Sequence, residues 1–236
     1  MTEQGWIPVA LSASIEAGTS AGAVIDGAEV VVWRDNKNAA HVWEDRCPHR
    51  GMRMSFGFVR GDHIACLYHG WAYDTAGQCQ YIPAHPDLEV PKTIKIPTYS
   101  TVEKNGIIWT ALTEGADIAG VPDVAADATP VRSLYVDCTP ATALAALKTT
   151  SLPQPSGPAI PAALDAVLHN CWRLTAGNTE VLIACQSIGN NRTGLHIVLL
   201  GATAHTAALR APLARWAEQL RHALENSATP AMAEVA

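Results

Sequence analysis

This chain is short of charge, of phenylalanine and of long apolar runs. Only 16% of its 236 residues are charged, and two are phenylalanine. No stretch approaches the ~20 consecutive apolar residues of a membrane-spanning helix. A basic face is lacking as well. Lys and Arg number 16 against 22 Asp and Glu, a net charge of −6, which speaks against nucleic-acid binding and suits a basic partner surface instead. The opening Met1-Thr2-Glu3-Gln4-Gly5-Trp6 has neither a basic segment nor an apolar stretch behind it. No secretory signal is read there, and a cytoplasmic location is expected. Six cysteines are too few for a disulfide scaffold in a chain of this length. What the chain does have is apolar content, 48%, as a folded globular protein requires. At roughly 150 residues per domain, the length allows one large or two small units.

Residues 24–110 read as short strands punctuated by turns. Asp26-Gly27 separates Val24-Ile25 from Glu29–Arg34 as a hairpin turn, and Asp35–Asn38 turns the chain into Ala40–Glu44. Further strands are expected at Asp62–Cys66, Ala72–Asp74, Lys95–Tyr99 and Gly106–Leu112, which together predict a small antiparallel β domain. Thr113–Pro130 is rich in Ala, Asp, Gly and Pro and reads as a connector. Beyond it a strand is expected at Val131–Asp137 and a short helix at Ala141–Lys148. Four prolines within Ser151–Pro161 forbid a regular helix there. Strands follow at Val181–Ala184 and Leu195–Leu200. Leu209, Leu213, Trp216, Leu220 and Leu224 then form a helical packing stripe over residues 206–226. The expected organisation is residues 1–115, a connector 116–130, a smaller α+β domain 131–226 and a frayed tail 227–236.

Two short pieces carry the chemistry. Cys47-Pro48-His49 and Cys66-Leu67-Tyr68-His69 each bring one thiolate and one imidazole together on a tight loop, with sixteen residues between His49 and Cys66. Two Cys and two His could hold a tetrahedral zinc. The mixing of one Cys and one His per loop suits a two-iron cluster better, with both thiolates on one iron and both imidazoles on the other. Neutral imidazoles remove negative charge and raise the potential into the range of about −150 to +300 mV. The remaining Cys79, Cys138, Cys171 and Cys185 read as small buried apolar residues.

The spacing resembles the Rieske [2Fe–2S] signature. The resemblance extends through Cys47-Pro48-His49-Arg50-Gly51, Gly57-x-Val59-x-Gly61 and His69-Gly70-Trp71-x-Tyr73-Asp74-x-x-Gly77, and covers about residues 5–115. It points to the Rieske domain of ring-hydroxylating and demethylating non-heme iron oxygenases. It implies a mainly β N-terminal domain of antiparallel sheets, with Cys47, His49, Cys66 and His69 as cluster ligands and Arg50, Tyr68 and Trp71 beside the cluster or on a docking surface. His49 and His69 are expected near the surface. Respiratory Rieske proteins carry an extra disulfide between the two loops; the matching places here are Met52 and Tyr68, which favours the oxygenase or ferredoxin branch. Leu67 stands where that branch usually has proline. Glycines 51, 61, 70 and 77 suit tight loops in which backbone N–H groups approach cluster sulfurs.

The second half resembles a truncated oxygenase catalytic domain. Complete members of the family hold a mononuclear iron on two histidines and a carboxylate, the histidines four or five residues apart. After residue 115 the histidines are His169, His196, His205 and His222, and no two have that spacing. His196 and His169 read first as satisfied structural histidines, and Asp165 and Glu180 as surface charges. The expected function is therefore an electron-transfer subunit without a complete catalytic iron. Its partners would be a companion chain holding mononuclear Fe(II) and an NAD(P)H-dependent reductase, in a trimeric ring or mixed hexamer. A self-sufficient oxygenase with an atypical site, a Rieske ferredoxin with an added domain and a structural subunit are the alternatives.

Overall fold

The computed structural model describes residues 5–113, 120–122, 124, 127–201 and 207–228. The chain divides into two compact units, Met1–Val121 and Pro122–Ala236.

Among the described residues the first unit has ten strands: β1 (Ile7–Leu11), β2 (Ser20–Ile25), β3 (Ala28–Arg34), β4 (Ala40–Glu44), β5 (Phe58–Arg60), β6 (His63–Ala65), β7 (Ala72–Asp74), β8 (Cys79–Tyr81), β9 (Thr98–Lys104) and β10 (Ile107–Ala111). They form two antiparallel sheets, one ordered β1-β10-β9-β4-β3-β2 and the other β5-β6-β7-β8. Asp26 and Gly27 both take positive φ, 46° and 85°, the backbone of a type I′ turn whose twist matches the strands it joins. In β3 both faces are buried. Val30 and Val32 enter one apolar cluster with Ile7, Val9 and Ile108. Val31 and Trp33 point the other way, into a cluster that holds Trp43, Met54, Ile64, Tyr73 and both motif cysteines. That second cluster is the floor of the site described below.

The strand expected at Lys95–Tyr99 begins instead at Thr98. Pro97 has no N–H to give a ladder, and its carbonyl accepts from Glu44 N at 3.0 Å. Lys95 makes only an isolated bridge to Gln78. Arg34, 3% exposed, ties the sheet end together. Its guanidinium forks onto both carboxylate oxygens of Glu103 at 2.7 and 2.8 Å and donates to the carbonyls of Ile15, Ser12 and Asn38.

The second unit contains β11 (Ala128–Val136), α1 (Pro140–Leu147), β12 (Ser151–Leu152), β13 (Ile160–Pro161), β14 (Ala163–Leu168), β15 (Cys171–Ala176), β16 (Thr179–Gly189), β17 (Arg192–Leu200) and α2 (Ala207–Ala228). Its main sheet is antiparallel, ordered β11-β17-β16-β15-β14. Alternate residues of β16 and β17 (Val181, Ile183 and Cys185; Leu195, Ile197 and Leu199) face one apolar cluster, as the two-residue period of a strand requires. The stripe Leu209, Leu213, Trp216, Leu220 and Leu224 of α2 packs into the same cluster. Thr139 caps α1 by accepting from Thr142 N at 3.1 Å, with Pro140 at the first helical position.

Two strands of this sheet, β14 and β15, were not expected, and β16 is longer than the four residues read from sequence. The proline-rich stretch forms no helix and supplies the short β12–β13 pair. Residues 116–119, 123, 125 and 126 of the expected connector lie outside the described residues, as do His205 and residues 229–236 of the expected tail. Among the described residues, no helix is long and apolar enough to cross a membrane.

Candidate metal centre

The two motif loops have the same backbone plan. Cys47 N donates to Met52 O at 2.8 Å, and Gly51 N donates to Cys47 O at 2.8 Å. Nineteen residues on, Cys66 N donates to Trp71 O and Gly70 N to Cys66 O, both at 2.9 Å. Each loop closes on a glycine with positive φ, 72° at Gly51 and 70° at Gly70, a conformation costly for other L-residues. The second loop lies between β6 and β7, and the first follows β4.

This geometry sends unlike side chains in opposite directions. Cys47 and Cys66 are 2% and 3% exposed and belong to the apolar cluster with Tyr73, Trp43 and Ile64. His49 is half-buried and His69 exposed, with ring centroids 4.6 Å apart. Trp71 lies flat on His49, 4.2 Å between centroids and 4° between planes. Tyr68 covers His69 at 3.9 Å. Arg50 is exposed.

The electrostatics follow the same division. Burial pushes the Cys66 thiol above its ordinary range. The Cys47 sulfur beside it raises it further, while the backbone N–H groups of Tyr68 and His69 favour the thiolate. Slight desolvation lowers the pKa of His49, and the charges of His69 and Arg50 add to that. Tyr73 is fully buried and its hydroxyl lies 3.2 Å from Cys47 Sγ. Burial, then the Cys47 sulfur, hold that phenol well above its usual pKa.

The donors arrive as a pair of sulfurs below and a pair of imidazoles above. A two-iron group with chemically unlike ends fits this donor set better than a tetrahedral zinc. The buried sulfurs meet donor N–H groups, and the imidazoles lie at the surface.

Residues 5–100 match the Rieske [2Fe–2S] domain family. The chain carries a Rieske [2Fe–2S] domain. The oxidoreductase NdmD of Pseudomonas putida is 38% identical over 108 residues, 45% of this chain and 18% of that protein. Methylxanthine N1-demethylase NdmA, also from Pseudomonas putida, is 41% identical over 78 residues, 33% of this chain and 22% of the demethylase. The match thus spans about a fifth of the length of these curated relatives. Among solved structures, dicamba monooxygenase bound to dicamba superposes with a TM-score of 0.77 at 16% identity, over 99% of this chain and 93% of that one. That likeness is one of fold. The fold is mainly β with a short C-terminal α+β region, as expected from sequence, and the relatives matched by the Rieske domain include an oxidoreductase, a demethylase, a dioxygenase subunit and a monooxygenase.

One residue of the Rieske domain reaches the site without having been assigned there from sequence. Tyr73 stands inside the quoted motif, and only the fold shows its hydroxyl aimed at Cys47. Cys79 lies in the same core, its thiol raised by burial and further by Cys47. All six cysteines are buried, and none forms a disulfide.

Among the described residues of the second unit the histidines do not come together. His196 is fully buried on β17, with Nδ1 2.9 Å from Ser133 Oγ and Nε2 3.0 Å from Gln186 Oε1. The amide oxygen accepts, so Nε2 carries the proton and Nδ1 accepts from the serine. His169 sits in the turn after β14, exposed, as is Asp165 within that strand. Glu180 pairs with Thr175 across β15–β16.

Proposed function

We propose that this chain is the Rieske electron-transfer subunit of a multicomponent oxygenase. It would accept electrons from an NAD(P)H-dependent reductase and deliver them to a mononuclear iron in a companion chain. The observation that carries this reading is the opposed pair of loops, with Cys47 and Cys66 in the core and His49 against His69 at the surface. Cys47, His49, Cys66 and His69 would hold one [2Fe–2S] cluster. When bound, such a cluster takes up and releases one electron at a time.

The chain's own residues support that role. The Cys47 and Cys66 sulfurs sit in an apolar core that limits solvent access. Tyr73 and the backbone N–H groups of Tyr68 and His69 donate toward the sulfurs, which stabilises extra negative charge there. Trp71 fixes the plane of the His49 ring. Exposed His69 supplies a short path between the site and a docked partner.

Several observations favour an oxygenase component over a free ferredoxin. The fold likeness to dicamba monooxygenase continues through the second unit. The sheet face of that unit toward α2 is filled with Leu, Ile, Val and Trp. His196 already has both ring nitrogens engaged, which argues against its serving as an iron ligand. A trimeric ring or mixed hexamer with a companion chain suits such a subunit. A self-sufficient oxygenase is the second reading, since the same fold likeness spans the chain.

Iron and acid-labile sulfide analysis of the isolated chain tests the proposal. Two irons and two sulfides per chain, with a stable mixed complex on coexpression with the companion, are expected. More than two irons per chain, or oxygenation by this chain alone, would refute it.

A further inference from the structure

The segment that carries the ligand loops has the opposite charge from the rest of the chain. Between residues 46 and 71 there are four arginines (Arg46, Arg50, Arg53 and Arg60) and one acidic residue, Asp62. That segment is therefore +3, and the remainder of a chain of net charge −6 is −9. All four arginines are exposed. Arg53 pairs with Glu29, whereas Arg46, Arg50 and Arg60 have no carboxylate partner among the described residues.

The same segment concentrates exposed apolar area. Both phenylalanines of the chain lie in it, Phe56 57% and Phe58 52% exposed, joined by Leu67 at 47% and Tyr68 at 56%. Seven large hydrophobic side chains are exposed among the described residues, and these are four of them. Phe58 is opposite Ala65 in the β5–β6 pair, one residue before Cys66, so this apolar surface reaches the second ligand loop. Exposed aromatic and aliphatic anchors among unpaired arginines are the composition of a protein-docking surface.

We propose that this patch docks the protein electron donor, and that the donor presents an acidic face with a small apolar centre. The inference rests on the Rieske reading above and adds the chemistry of the partner. Phe58, Leu67 and Tyr68 would be the desolvated anchors, and Arg50 and Arg60 the steering charges. The basic partner surface expected from overall composition would instead meet the acidic remainder of the chain, away from these loops. Opposite fields raise encounter rates by ~10- to 1,000-fold at low salt and lose that advantage when the Debye length falls below about 10 Å.

The test uses the cluster-loaded chain and two probe proteins whose potentials lie below that of the cluster, a reduced acidic [2Fe–2S] ferredoxin and a reduced basic low-potential c-type cytochrome. Each passes one electron to the chain and is oxidised by one, followed by stopped-flow absorbance. With the ferredoxin, the second-order rate should fall about tenfold or more between low salt and about 0.5 M salt. The double variant Arg50→Glu/Arg60→Glu should be slower by a similar factor at low salt and should converge with the parent at high salt. Phe58→Ser should be slower at every salt concentration without changing the salt slope. The cytochrome should show no fall with salt. A ferredoxin rate that is flat or rises with salt, or a double variant that reacts like the parent, would overturn the proposal. Reduction by dithionite separates the two levels. A chain that dithionite cannot convert to an EPR-active form defeats the Rieske reading itself, not the docking surface.

Discussion

Replacing Tyr73 with phenylalanine isolates a single contact at the proposed cluster. The phenol oxygen is 3.2 Å from Cys47 Sγ, fully buried, and burial with the neighbouring sulfur keeps it protonated. Facing a metal-bound thiolate it can only donate. A donor stabilises the more negative, reduced state more than the oxidised one, so its loss must lower the potential. Hydrogen bonds to charged groups are worth roughly 1.5–3 kcal/mol. If about half of that differs between redox states, the change is about 1 kcal/mol, or about 40 mV for one electron at 59 mV per tenfold. The substitution deletes the hydroxyl and leaves no orphaned donor in the core, so the fold should be retained. Spectroelectrochemical titration of Tyr73→Phe against the parent should therefore show a potential lower by about 40 mV. An unchanged or higher potential, with the cluster intact, would refute the reasoning.

Exchanging an imidazole for a thiolate is a larger perturbation: His49→Cys should lower the potential by hundreds of millivolts if a cluster still forms, and an unchanged potential removes His49 from the ligand set. His196 provides the acid sensitivity of the second unit. Burial lowers its pKa to about 4 from 6.5, so between those values the unfolded chain binds a proton that the folded one refuses. Stability is full above pH 6.5 and declines by up to about 3 kcal/mol as the pH falls toward 4. In urea titrations, the gap between the parent and His196→Gln should narrow on acidification; a constant gap contradicts this. Arg34→Ala should cost roughly 3 kcal/mol of stability, because Glu103 and three backbone carbonyls lose their donor. A loss below about 1 kcal/mol in denaturant unfolding would mean that the network relaxes without it.

The two Cys/His loops were legible because their pattern is local. Cys-x-His and Cys-x-x-His bring their donors together within four residues, and the glycines that close the loops are visible beside them. The α2 stripe was legible for the same reason, since a 3.6-residue period survives in one dimension. What sequence could not show is long-range. Tyr73 reaches Cys47 from 26 residues away. The β14 and β15 strands carry exposed and mixed positions, with Asp165 and Arg173 opposite each other, that blur a two-residue alternation. Pro97 moved the start of β9 by withholding one N–H. The basic cast of residues 46–71 was hidden by the acidic total.

Pulsed EPR on the dithionite-reduced chain tests the central claim most directly. If His49 and His69 ligate the cluster, the spectra must contain couplings from two imidazole nitrogens, one of which disappears in His49→Cys. A reduced iron–sulfur signal with no nitrogen coupling, or no signal at all, would contradict the account.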